Sequence, residues 1–430
     1  MTRTRKAGVV LAVLAAIAVL LCALVFYLVP SDEELAARAA AQLQAALGVK
    51  VNVGALHWHL FPVPSVVVEN VATLQARPIV VSRLTAYPAL GALWQRRIRL
   101  DRVEVQSAEL PQLSLRQLHG AGAGGAQGWT LDDIPLVRLV ARDVTWISRR
   151  GIAVVYDGEA DFDSGWRPRQ AALRRPDFKP ETQLTLTRQG DEDRWAVLTT
   201  VGGGTAHGEV QLKESPAGRF HLEGKLQPRG IEVASALAAF NRRSVIAGKA
   251  SGETTLSAQG DNVVGLARSL HTRTAFTLGR STLLRFDLNK AIRTAGREHA
   301  GQTALNAVTG QLDTQNTPEG MVVEYTNVKT SSGAFTASGH GKIANRQIDA
   351  EVAVDLVDGL VGVPLKVTGS LDNVKFSVPA GAVAGAAVGT AVLPGIGTAL
   401  GARIGSTLGR IFGSGPAPPP EKPAGGPRRP

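Results

Sequence analysis

Apolar and polar residues alternate one by one along much of this chain. In Phe220-His221-Leu222-Glu223-Gly224-Lys225-Leu226, one side carries Phe, Leu, Gly and Leu, and the other His, Glu and Lys. Ile348, Ala350, Val352 and Val354 form a second apolar side against Asp349, Glu351 and Asp355, and Leu184 and Leu186 a third. A period of two predicts half-buried antiparallel strands, polar on one face. Val66, Val68 and Val71, then Ile79 to Leu84, then Ile98, Leu100, Val103 and Val105 read as further short strands. Helical spacing is rarer. Ser31 and Glu34 stand at capping-box spacing before Leu35, Ala39, Leu43, Ala46 and Leu47, and Gly48 is the stop. Short helices are expected at Ile231 to Arg242, Val263 to Ser269 and Asp287 to Thr294. Gly120 to Gly128 and the Arg/Pro-rich stretch Ser164 to Pro180 read as loops. The fold class is mainly β, an antiparallel sheet with few short helices.

Two apolar stretches break this pattern. Ala7 to Val29 carries no charge, and Leu14 and Leu21 lie within it. At about 1.5 Å per residue it covers about 34 Å as a helix, enough for a bilayer core of about 30 Å. Arg3, Arg5 and Lys6 precede it, and Asp32, Glu33 and Glu34 follow. The excess of positive charge predicts a cytoplasmic N-terminus, with everything after residue 30 on the far side, the periplasm of a Gram-negative cell. The second stretch is glycine-patterned. Gly381, Gly385 and Gly389 are four apart, as are Gly397, Gly401, Gly405, Gly409 and Gly413, with Pro394-Gly395 between the two series. Four-residue spacing aligns small residues into a ridge where another helix packs closely, so residues 379–413 are expected to form a glycine-zipper helical hairpin. It is read as lying in a membrane interface or, alternatively, as packing on the sheet. The Pro-rich residues 414–430 are expected to be disordered.

Charge and composition narrow the function. Of the net +11, +3 sits in the first six residues and +4 from Arg403 onward, leaving +4 across the body. No interleaving of aromatic and basic residues accompanies it, so nucleic acid is not an expected partner. The single cysteine, Cys22, excludes an intrachain disulfide and a cysteine zinc site.

The chain has no G-x-S-x-G, H-E-x-x-H or G-x-x-x-x-G-K-[ST] sequence. Gly120 to Gly125 matches G-x-G-x-x-G but leads into Ala-Gln-Gly-Trp rather than a helix, so it reads as a loop. His57 and His59 flank Trp58 without a nearby acidic ligand and read as surface histidines. Asp191, Glu192 and Asp193 follow Gln189-Gly190 and read as a hairpin turn with solvated charges. Arg96, Arg97, Arg99 and Arg102 read as the polar face of a strand, or as a contact for lipid headgroups. No catalytic, cofactor or metal residue is assigned, and the chain is expected not to be an enzyme.

Several segments, taken in order behind the apolar run, resemble the AsmA family of Gram-negative envelope proteins. Ala45 to Val51 leads into Trp58-His59-Leu60-Phe61-Pro62-Val63-Pro64, and Leu90 to Ile98 is similar to the family's next element. Gly252 to Gly260, Ser269-Leu270 and Phe286-Asp287-Leu288 resemble a second block, Val363 to Asn373 a closing strand and turn, and Leu393 to Thr398 the family's glycine-rich end. The expected organisation is an anchor at 1–30, β-rich regions at 31–228 and 229–378, the hairpin and the tail.

The resemblance implies an inner-membrane-anchored, single-pass periplasmic protein of envelope biogenesis, whose curled, groove-like sheet binds or transfers phospholipid. The candidate groove residues are Leu184, Leu186, Phe220, Leu222, Leu226, Val352 and Val354. The alternative is a scaffold or assembly factor for outer-membrane proteins that takes other envelope proteins as partners by strand addition.

Overall fold

The computed structural model describes residues 32–59, 61–118, 130–164, 167–216, 218–261, 263–294, 298–317, 319–333, 335–356, 363–371 and 373–377. The apolar run with Ala7, Leu14, Leu21 and Val29, the Gly120 to Gly128 loop, the glycine hairpin and the Pro-rich tail lie outside them. Among the described residues no helix is long and apolar enough to cross a membrane.

The protein is mainly β, its strands paired mostly antiparallel, with a few short helices. Its strands divide between two compact units, residues 1–284 with 310–323, and residues 285–309 with 324–430.

The first unit begins with helix α1 (Asp32–Leu47). Leu35, Ala39, Leu43 and Leu47 recur on one side and are buried. Gly48 follows at φ 70° and its N–H donates to the Gln44 carbonyl, so the helix stops there. After three residues the chain turns back as β1 (Val51–His59) beneath the helix. β2 (Ser65–Thr73), β3 (Val80–Pro88) and β4 (Arg97–Pro111) follow as an antiparallel meander. Helix α2 (Leu90–Trp94) links β3 to β4.

β5 (Thr130–Ile147) then pairs parallel to β4, a departure from the all-antiparallel expectation. A parallel neighbour needs a connection of about a dozen residues or more, and residues 112–129, opening with helix α3 (Gln112–Leu115), supply it. From β5 the chain returns to neighbour-by-neighbour antiparallel pairing. The strands are β6 (Ala153–Asp163), β7 (Arg167–Arg174), β8 (Gln183–Arg188), β9 (Arg194–Val201), β10 (Gly204–Glu214) and β11 (Phe220–Arg229).

β11 pairs with β13 (Ile246–Gly260), which also takes the two-residue β12 (Ile231–Glu232). β13 pairs with β14 (His271–Leu283), and β14 with β16 (Ala307–Asn316). Helices α4 (Val233–Ala238) and α5 (Val263–Ser269) fill the connections on either side of β13. The expected helix at Ile231 to Arg242 is therefore shorter, because Ile231 and Glu232 are held in the ladder by Ala250 and Lys249.

β7 corrects the expectation of a loop from Ser164 to Pro180. Pro168 sits where the β6–β7 register shifts, a position that tolerates a missing N–H, and its carbonyl accepts from Trp195 Nε1 at 2.7 Å. Beyond it Ala171 and Leu173 alternate with Gln170 and Arg174, each set against like residues on β8 and β6.

The second unit carries helix α6 (Leu288–Arg293), β15 (Thr303–Leu305) and an antiparallel meander of β18 (Phe335–Ala344), β19 (Gln347–Leu356), β20 (Val363–Ser370) and β21 (Asn373–Ser377). β17 (Met321–Ser331) lies at the boundary of the two units. Phe335, Val354 and Leu365 form the buried centre of the meander.

Candidate functional site: an apolar face of the sheet

Residues opposite each other across a strand pair lie on the same side of a sheet. One such row runs through the first unit. Trp58 faces Val66, Val66 faces Ala86, Ala86 faces Val103 and Val103 faces Leu139. It continues through Ala160, Ala171, Leu186, Val197, Gly208 and Leu226 to Thr254. Neighbouring rows are similar: Leu173 opposes Leu184, and Leu212 opposes Leu222, which opposes Ala258. The alternation expected along single strands thus adds up to one apolar face from β1 to β13.

Its two ends differ. Over β1 to β4, α1 packs on it and most of the side chains are buried, with Leu56, Val68, Leu84, Leu100 and Leu136 in a single cluster, while Leu139, Ala141, Val144 and Ala160 on β5 and β6 are half-buried. From β7 onward many of the same-side residues stay half-buried, among them Leu184, Leu186, Phe220, Leu222 and Leu226. These five sequence-predicted groove residues therefore share a face. Val352 and Val354 belong to the second unit. Val352 is half-buried, whereas Val354, opposite Ala337, is completely buried and serves as core.

An apolar cavity of about 410 Å³ opens in this face, lined by Leu110, Ala141, Val144, Trp146, Tyr156, Gly158 and Leu173. Small-molecule sites typically occupy about 300–1,000 Å³. Trp146 and Leu173 are 37% and 42% exposed, so the wall is open to a ligand. Gly158 is the floor: a Cβ there would sit 3.5 Å from Leu173 Cδ1, filling the space between strands. Burial pushes the Tyr156 phenol up, and the Arg175 charge partly offsets this, so it stays a neutral hydroxyl near pH 7. The sequence reading missed this cavity. Leu139 and Ala141 point to the face at odd positions, but Val144 and Trp146 at even ones, because the β5–β6 register shifts between Ala141 and Val144. A bulge switches the phase of alternation and hides the period of two.

The opposite face is polar and cross-linked. Asp157, buried at the bulge, accepts from the Asp143 N–H at 2.9 Å and from Arg174 at 2.9 Å, and Arg142 lies 3.6 Å away. Arg138 pairs with Glu159 at 3.1 Å. Asp191 to Asp193 do form the β8–β9 turn, with Gly190 at φ 65°, but the solvated-charge reading fails for Asp193. It pairs with Arg167 at 3.3 Å and with Arg188 at 3.4 Å, whose side chain is only 8% exposed. Strand β7, absent from the sequence reading, brings Arg167 there. Arg97, Arg99 and Arg102 each pair with a carboxylate, those of Asp132, Asp101 and Glu104. His57 is half-buried and His59 exposed at the end of β1. Among the described residues no group of three or more His, Cys, Asp or Glu could hold a metal ion.

A second cavity, of about 400 Å³, lies in the second unit and mixes Glu324, His340, Lys342, Asp349, Glu351 and Lys366 with Tyr325, whose phenol burial pushes up. Charges of both signs make it a poor place for an acyl chain. No family model, curated protein or solved structure matches the chain.

Proposed function

We propose that this chain is an inner-membrane-anchored periplasmic protein of envelope biogenesis that holds phospholipid acyl chains against the apolar face of its sheet. The carrying observation is the half-buried apolar face from β7 to β13, with the 410 Å³ cavity of Trp146 and Leu173 at its covered end. A sheet that ends its own core partway leaves apolar area for a ligand to cover. Each methylene moved from water onto that face is worth about 0.8 kcal/mol, so a single acyl chain supplies useful affinity. The polar side, with its cross-strand ion pairs, keeps the other face in water. The uncharged run before Asp32 and the resemblance of the flanking segments to the AsmA family support the same reading. Among the described residues no set of convergent acids, bases or nucleophiles argues for a reaction.

The test is mass spectrometry of lipid copurifying with the full chain in mild detergent. Leu173→Asp and Leu222→Asp should lower the lipid load while the far-ultraviolet circular dichroism stays that of a sheet. Leu198→Asp, on the other face and 49% exposed, should leave it unchanged. Equal loads in all three folded variants would reject the groove and favour the scaffold alternative, in which a protein partner adds to the sheet.

A further inference from the structure

Among the described residues, the end of the first unit at which β1 finishes carries exposed apolar side chains. His59 opposes Ser65, Val66 opposes Ala86, and Pro88 opposes Leu100. The 61–64 turn and the α2 segment therefore emerge at the same end. Phe61 in the turn is 91% exposed and Val63 54%. Leu90 and Trp94, four apart on α2, are 43% and 84% exposed, whereas Leu93 between them turns into the core. Single exposed hydrophobics are ordinary, but four on adjacent connections, two of them aromatic, mark a contact surface.

The chain also shows what covers it. α1 and β1 are joined by only three residues, and Leu35, in the first turn of the helix, is buried over the sheet. The helix therefore runs back along β1 and returns Asp32 to the end that carries Phe61 and Trp94. The uncharged run Ala7 to Val29 finishes three residues before Asp32. Three residues reach at most about 10 Å. A bilayer holding that run lies that close to this end.

We infer that this end is a membrane-docking surface, with Phe61, Val63, Leu90 and Trp94 immersed in the interfacial layer of the bilayer that holds residues 7–29. The inference rests on the anchor reading of that run. Trp and Phe at the boundary between acyl chains and headgroups suit such a layer. The neighbouring Arg97, Arg99 and Arg102 are paired with carboxylates, and exposed Arg96 stands beside Trp94, so the contact is chiefly apolar with one cation at its edge. Docking fixes the sheet upright on the membrane instead of leaving it tethered by a swivel.

The experiment uses the full chain with Cys22→Ala and one new cysteine at a time, labelled with an environment-sensitive dye. The sites are Phe61→Cys, Trp94→Cys, Leu198→Cys as the solvent-facing control and Leu14→Cys within the anchor. Each is placed in nanodiscs of phosphatidylethanolamine and phosphatidylglycerol, with and without brominated acyl chains. Dyes at 61 and 94 should be quenched several-fold more than the dye at 198, equally at low and high salt. If the dye at 14 is quenched while those at 61 and 94 match the one at 198, the anchor stands and docking is overturned. If the dye at 14 is not quenched, the anchor reading falls and docking falls with it.

Discussion

The carboxylate of Glu232 accepts a hydrogen bond from the backbone N–H of Gly248 at 3.1 Å, sixteen residues away. The same carboxylate caps α4, accepting from the N–H groups of Ala234 at 3.2 Å and Ser235 at 2.5 Å. One side chain thus ties a strand, a helix start and the next strand of the sheet together. Burial would raise this carboxyl, but the bonds from Ser235, Gly248 and Ala234 outweigh it and hold it below its usual value.

Glu232→Ala should cost about 1–2 kcal/mol, the range of a lost helix cap. The sign with pH follows from a lowered folded value. The contribution is complete above the unfolded carboxyl's value of about 4.3 and disappears as pH falls through the lower folded value. The stability gap between wild type and Glu232→Gln should therefore shrink from about pH 6 to about pH 3. Urea unfolding at several pH values measures it, and a gap that widens on acidification would contradict the capping role.

Gly208 faces Leu226 across β10 and β11, and a Cβ there would stand 1.9 Å from the Lys225 carbonyl oxygen and 2.8 Å from Leu226 Cα. Backbone cannot yield as a flexible side chain can, so Gly208→Ala should destabilise by about 1–3 kcal/mol. Gly91, inside α2, has no neighbour within 4 Å of such a carbon. Gly91→Ala should be neutral or stabilising by up to about 1 kcal/mol. In thermal melts the Gly208→Ala midpoint should fall, while that of Gly91→Ala should hold or rise.

Val354 and Val352 share a side of β19, yet only Val354 is completely buried. Val354→Ala should cost about 2 kcal/mol, from lost transfer energy and the cavity left behind. Val352→Ala should cost clearly less. Denaturant midpoints of the two variants decide it, and equal losses would place Val352 in the core as well.

The proposed orientation predicts that an enzyme reporter fused after residue 60 is active only if it folds in the periplasm. Alkaline phosphatase activity there, with no β-galactosidase activity in the matching fusion, is the expected pair of results. The reverse pair would invert the topology and remove the periplasmic site from the proposed function.

Where a strand is unbroken by a bulge, as in β11 and β19, alternation by itself determined which side is apolar. Phe220, Leu222 and Leu226 fall together in β11, and Ile348 to Val354 in β19, because side chains on a strand point to opposite faces in turn whatever the strand pairs with. The spacing of Leu35, Ala39, Leu43 and Leu47, with Gly48 after them, likewise sufficed for α1, and Val263 to Ser269 for α5. Everything that depends on pairing at long range waited for the tertiary structure. The bulge after Ala141 changes the phase of alternation, so the wall from Val144 to Trp146 could not be read from period alone. Arg167–Arg174 became a strand because β6 and β8 take it up on either side, and only then did Arg167 and Arg188 reach Asp193. Whether an inward valine is core or open wall depends on what lies over it. That is why Val354 is sealed in the second unit while Leu222, with the same local pattern, stays half-open in the first.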